Sequence, residues 1–140
     1  MIKTNKLILD LCPNFSVREK WGDYSQMNPA LLVLLQRLRT DMKAPFNIHC
    51  GYEVTGHSSE SQHYLGNAVD FTIGLDDFVK TYSILNALLI GYGVAYKVGF
   101  GVYPFWNTPG FHLDVRGSKA RWSRDREGRY KSIDAVLKDV

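Results

Sequence analysis

The sequence predicts an α+β single domain with an antiparallel or mixed β-sheet and helices packed on one face. Three observations predict it. Leucines recur at helical spacing after Asn28-Pro29; residues 46–50, 68–73 and 111–115 alternate in the two-residue period of a half-buried strand; and a second apolar run, 79–90, falls between those strands. At 140 residues, 45% of them hydrophobic and 13% aromatic, the chain can fill one core and not two, so residues 1–140 are expected to form one domain.

The elements follow in order. Ser16-Val17-Arg18-Glu19 has the form of a capping box and predicts a short helix from about Val17. Asn28 as N-cap and Pro29 at the first helical position open the next helix, whose apolar face is Leu31, Leu34, Leu35, Leu38 and Met42. Pro45 ends it, and Phe46 to Cys50 read as a strand stopped by Gly51. Residues 52–62 are polar and without period, a loop. In Ala68 to Ile73 the apolar Val69, Phe71 and Ile73 share one face, leaving Asp70 and Thr72 on the other.

Asp76-Asp77 suit a helix N-terminus, and the apolar run Val79 to Ile90 continues to a stop at Gly91. Val94 to Val102 alternate as a strand ending at Pro104, and residues 105–110 turn the chain back. The last clear strand puts Phe111, Leu113 and Val115 on one face and His112, Asp114 and Arg116 on the other.

Bulk properties exclude several classes. Charged residues make up only 22% of the chain and no low-complexity tract appears, which argues against disorder. The N-terminal ten residues hold only three consecutive apolar side chains before Asp10, too few for a signal-peptide core, and no stretch approaches the roughly twenty apolar residues of a membrane span. The expectation is therefore cytoplasmic synthesis as a monomer, with release by lysis or a phage route. Cys12 and Cys50 fit neither a disulfide framework nor a zinc spacing and read as buried free thiols. The net charge of +3 is uneven, since residues 116–131 carry seven Lys or Arg against two acids, a local balance of +5. Such a tract can attract an anionic polymer, and on charge alone it raises a nucleic-acid binder as a third reading; no nucleic-acid partner is expected.

Chemistry concentrates in two segments. Ser61-Gln62-His63-Tyr64-Leu65-Gly66-Asn67-Ala68-Val69-Asp70 supplies a His and an Asp, and Phe111-His112-Leu113-Asp114-Val115 supplies a second His. Two imidazoles and a carboxylate match the three protein ligands of a catalytic zinc site, which keeps a fourth position open. His49, Cys50 and His57 form a rival cluster, but adjacent His49 and Cys50 are expected on opposite faces of their strand. No phosphate-cradling loop appears, and Gly99-x-Gly101 reads as a place where strands approach closely.

In this order, Ser-x-His-x-x-Gly-x-Ala-x-Asp and Phe-His-x-Asp-Val resemble the zinc D-Ala-D-Ala carboxypeptidases and L,D-endopeptidases of bacteria and phages, metallopeptidase family M fifteen. That superfamily also holds lysostaphin-type enzymes and hedgehog domains. Asn14 to Glu19, Leu35 to Arg39, Ile48 to Tyr52, Gly99 to Tyr103 and Ala120-Arg121-Trp122 extend the resemblance to its small single-domain subgroup. The resemblance implies a hedgehog/D-Ala-D-Ala peptidase-like fold and zinc held by His63, Asp70 and His112. It implies hydrolysis of peptide bonds in the stem peptides of peptidoglycan, with muropeptides as partners.

Two departures qualify that expectation. Many family members carry a Glu three residues before the last His, where this chain has Pro109, so Asp114 is the expected general base, with orientation of a ligand imidazole as its alternative role. Glu53 stands where the family often has an arginine; Arg116 shares the face of His112 and reads first as an ordinary surface arginine, with replacement of the family's arginine as its alternative role. Tyr52, Tyr103 and Trp106 adjoin the site in sequence as candidate substrate-binding residues, and Trp122 is expected to pack under the sheet. The alternative function is a catalytically weak or inactive zinc-bearing module, either cell-wall-binding or structural in a phage.

Overall fold

The computed structural model describes residues 3–140; Met1 and Ile2, the start of the N-terminal stretch considered above, lie outside the described residues. Helices α1 (Lys6–Asp10) and α2 (Pro29–Met42) precede strands β1 (Phe46–Cys50) and β2 (Ala68–Ile73). Helix α3 (Phe78–Gly91), strands β3 (Gly99–Tyr103), β4 (Gly110–Asp114), β5 (Ala120–Arg124) and β6 (Tyr130–Lys131), and helix α4 (Ile133–Leu137) complete the chain. The six strands form one mixed sheet in the order β1-β2-β4-β3-β5-β6, antiparallel except where β5 runs parallel to β3. This is the α+β single domain that the apolar periods predict. Among the described residues no helix is long and apolar enough to cross a membrane.

One face of the sheet is the core. Leu31, Leu32, Leu35 and Leu38 of α2 and Leu85 and Leu89 of α3 are buried together with Ile48, Val69, Phe71, Phe100, Val102, Phe111 and Leu113 from the strands. Stacked rings, Phe46 on Phe71 at 5.2 Å and Phe78 on Phe111 at 4.9 Å, add directional contacts to that burial. Because side chains alternate, burying these residues presents Asp70, His112 and Asp114 on the opposite face. The helix starts behave as their sequences predict: Asn28 Oδ1 accepts from the Ala30 amide, and Asp77 Oδ1 from that of Lys80.

Other expectations need correction. No helix begins at Val17. Only half of the box forms: the Ser16 amide donates to Glu19 at 2.7 Å, but Ser16 Oγ accepts from the Arg18 amide at 3.2 Å instead of that of Glu19, and the chain only turns. Trp21, 1% exposed, is drawn into the core, and Gly22 follows at φ +79° with its Cα against the Tyr52 carbonyl, where no side chain fits. The strand expected from Val94 starts only at Gly99. In residues 94–98 alternation reflects a turn, closed by the Lys97 amide on Val94 O, which buries Val98 and exposes Tyr96.

The basic tract, residues 116–131, is built into the sheet, since it contains β5 and β6 and leads into α4. Ser123 points into the core and donates to Val102 O at 2.6 Å, while Arg121 reaches back to Ala95 O and Val98 O. Asp125 closes the β5–β6 hairpin, taking the Glu127 and Arg129 amides and pairing with Arg129 and Lys131.

Candidate metal centre

His63 is set by a short 3-10 turn, Gln62–Leu65, whose start is capped by Ser61 Oγ and whose end is Gly66 at φ +71°. Gly66 packs directly on the Gln26 carbonyl, and Asn67 accepts from Asn28 Nδ2, so the turn is tied to the start of α2. Asp70 and His112 face each other across the β2–β4 ladder as register partners. The turn brings His63 over that pair. Its Nε2 lies 3.3 Å from Asp70 Oδ1, and His112 Nδ1 lies 3.0 Å from the same oxygen. The three residues expected from the sequence thus offer one ligand atom each, all within 4.8 Å of one another.

The hydrogen bonds behind the rings decide what faces inward. His63 Nδ1 is 2.7 Å from the Gly51 carbonyl, which can only accept, so that nitrogen carries the proton. His112 Nε2 is 2.7 Å from Asp114 Oδ2 and donates to it. With both rings neutral, each turns a nitrogen lone pair toward the Asp70 carboxylate. Three acceptors converging on one point need a cation between them or protons on the rings. This is the pattern of ligand imidazoles whose far nitrogens are held by a carbonyl and a carboxylate.

In the absence of an ion the electrostatics describe the second case, protons on the rings. Burial alone would raise the Asp70 carboxyl, but hydrogen bonds from His112 and His63 outweigh it and hold it well below the usual range. Burial opposes protonation of His112, yet Asp114 and Asp70 together raise its pKa. Asp114 is 0% exposed; burial pushes against its charge, and Arg116 and then His112 hold it low.

The general-base role expected for Asp114 does not fit this geometry. Its Oδ1 accepts from the Gly99 amide and from Arg116 Nε at 2.8 Å, and its Oδ2 from Arg116 Nη2 and His112 Nε2, both at 2.7 Å. Every lone pair is engaged behind the imidazole, on the side away from Asp70. The arrangement is the alternative considered above, a carboxylate that orients a ring. Arg116 is correspondingly committed to Asp114 rather than standing free in the cleft.

Gly99 and Gly101 explain how this fits on the cleft face of the sheet. A side chain at Gly99 would overlap the Asp114 carboxylate and Arg116 Nε, and one at Gly101 would come within 2.6 Å of Trp122 Nε1. The glycines leave room for a buried ion pair and for an indole beside His112. Gly99→Ala is expected to push Asp114 off His112 and weaken metal binding by about 10- to 100-fold, the cost usual for losing a group that orients a ligand. Chelator competition on the folded variant checks it.

The rival cluster is closer than alternation allows. A β-bulge between Ile48 and Cys50 places two β1 residues opposite one on β2, so His49 and Cys50 both turn to the site face. His49 Nε2 meets Thr72 Oγ1 at 3.0 Å, and Cys50 Sγ lies 3.5 Å from His63 Nδ1 and 3.8 Å from His57 Nε2. Cys50, His57 and His63 therefore form a second possible donor set. It suits a metal less well, because His63 Nδ1 is given to Gly51 and the thiol is pushed up by burial, by a hydrogen bond to Glu53 and by Asp70. Both Cys12 and Cys50 are free thiols, Cys12 buried and Cys50 half-buried.

The triad opens onto a cleft of about 660 Å³ whose lining includes Tyr103, Trp106, Arg116, Trp122, Arg124 and Tyr130, with His57 and Glu60 on the loop opposite. Tyr103 and Trp106 stack with centroids 4.0 Å apart. Trp122 is on the cleft face, 4.9 Å from His112 in centroid distance, and not under the sheet. Tyr52 does not line the cleft; it is half-buried against the core, and its amide donates to Trp21 O. Sequence reasoning missed Arg124, although the two-residue period from Trp122 marks its face.

Compared with family models, with curated proteins and with solved structures, the chain matches none.

Proposed function

We propose that the chain is a zinc-dependent peptidase acting on the stem peptides of peptidoglycan, with the ion held by His63 Nε2, Asp70 and His112 Nδ1. One observation carries the reading: two imidazoles of assigned tautomer aim their lone pairs at one carboxylate oxygen at the floor of an open cleft. The donor set, two nitrogens and an oxygen, suits zinc and leaves room for a fourth ligand. When bound, zinc in such a site supplies Lewis acidity toward a carbonyl and toward water.

The chain's own residues do the rest. Gly51 O and Asp114 hold the imidazoles, and Arg116 holds Asp114. Tyr103, Trp106 and Trp122 line the cleft with aromatic surface against which an extended peptide can lie. Since Asp114 is turned away from the cleft, His57 and Glu60 are the lining groups left to take a proton. The motifs of His63 to Asp70 and Phe111 to Val115 support stem peptides as the substrate through their resemblance to the zinc carboxypeptidases and endopeptidases of cell walls.

The second reading, a zinc-bearing wall-binding or phage structural module without turnover, is favoured by Pro109 and by the engagement of Asp114. One experiment separates the two. Protein of measured zinc content is incubated with muropeptides, and products are read by mass spectrometry. Cleaved stem peptides are expected. Full zinc occupancy without cleavage, with cell wall still pulled down, would establish the second reading instead.

A further inference from the structure

Arg124 stands out in the cleft because its charge is uncompensated. It follows Trp122 by two positions on β5 and so shares its face, while Ser123 between them is buried on the core side. Its Nη2 donates to the Tyr130 hydroxyl, and the guanidinium lies over the Tyr130 ring, 4.3 Å from its centroid. Its Nε is buried without any hydrogen-bond partner. Among the described residues no carboxylate pairs with it: Asp125, next in the chain, is taken by Arg129 and Lys131, and Asp114 by Arg116 and His112.

A buried donor without an acceptor is costly, and more so on a charged group. A guanidinium is a rigid fork of donors that matches a carboxylate two bonds at a time. Tyr130 fixes that fork from one side. Tyr103, Trp106 and Trp122 line the same cleft, and a peptide lying on them would displace water from the guanidinium and strengthen an ion pair formed there. Arg116, the cleft's other arginine, is already neutralised by Asp114.

We infer that Arg124 anchors a carboxylate of the bound peptide, making the substrate class an acidic peptide that carries a free α-carboxylate or an acidic side chain near the scissile bond. This rests on the peptidase reading for the word substrate, but the anion site itself does not need turnover.

The test uses zinc-loaded protein and tryptophan fluorescence, since Trp106 and Trp122 both line the cleft. Three probes are titrated: N-acetyl-dialanine, its C-terminal amide, and an amidated dipeptide with a glutamate side chain. Wild type, Arg124→Gln and Arg124→Lys are compared at equal zinc content, with circular dichroism and thermal unfolding confirming that each variant keeps the fold. Arg124→Gln is expected to weaken at least one of the two acidic probes by about tenfold or more, as loss of a charge-assisted pair does, and to leave the amide unchanged. Whichever acid is affected identifies the source of the carboxylate. Arg124→Lys, which keeps the charge and loses the fork, should fall between.

Equal loss of acidic and neutral probes, no loss of either acid, or no preference of wild type for acid over amide would overturn the inference. Cleavage of muropeptides undiminished in Arg124→Gln would remove the anion site and leave the peptidase reading standing. Acid selectivity that depends on Arg124 in a protein that cleaves nothing would do the reverse.

Discussion

Asp114→Ala is expected to destabilise the metal-free protein by about 3 kcal/mol, the lower end of the range for breaking a buried ion pair by removing one partner. The carboxylate is fully buried and accepts five hydrogen bonds, from the Gly99 amide, His112 and three Arg116 nitrogens, one of them its backbone amide. Its removal leaves His112 Nε2 and the Gly99 amide without acceptors in a dry place. Arg116, with 29% of its side chain exposed, can turn toward water and recover part of the loss, which is why the lower end applies. Urea unfolding in the presence of chelator should show a lower midpoint with an unchanged slope.

The same pair fixes the sign of a pH effect. Asp114 titrates below its unfolded value of about 3.9, so its stabilisation is present above that value and is lost as pH falls through the folded one. His112 titrates above its unfolded value of about 6.5, so its contribution is complete below that pH and is lost as pH rises through the folded one. The gap between wild type and Asp114→Ala, measured without metal, should be widest between about pH 4 and 6.5 and narrow on both sides. A gap independent of pH would show that the ring and the carboxylate are not coupled.

His112→Ala has the largest expected effect on the site. It removes one of three ligands and leaves His63 and Asp70 to hold an ion between them. Metal binding should weaken by more than the roughly 100-fold upper figure for losing a supporting group, so that zinc is absent from the purified variant by elemental analysis. Asp114→Asn, which keeps all three ligands and loses only the charge behind one, should fall within about 10- to 100-fold. His49→Ala is the control. That ring is hydrogen-bonded to Thr72 and belongs to neither candidate donor set, so the variant should retain its metal. Loss of zinc from His49→Ala together with retention by His112→Ala would overturn the assignment.

Much of this was legible before any coordinates. The helical spacing of Leu31, Leu35 and Leu38 and the two-residue period of Val69-Asp70-Phe71 and Phe111-His112-Leu113 are enough to place an apolar face and a polar one, and the ligands fall on the polar one. What stayed hidden depends on long-range contacts. β5 carries Arg121, Trp122 and Arg124, and its polar composition conceals that Ser123 enters the core and that Trp122 lies over a glycine of a neighbouring strand. The helix expected at Val17 had its local signal, but burial of Trp21 overrode it. Asp114 lies on the same face as His112 as alternation requires; which side of the imidazole it touches is settled only by Gly99 and Arg116, fifteen residues before it and two after.

The bulge at the end of β1 bears on more than the direction of Cys50. β1 is one border of the sheet and β6, only two residues long, is the other. A strand from another molecule needs an unbroken row of backbone donors and acceptors to add itself to such a border. The bulge interrupts that row on one side and the shortness of β6 denies it on the other. The irregularity that turns two successive side chains toward the cleft therefore also keeps the sheet from growing between molecules.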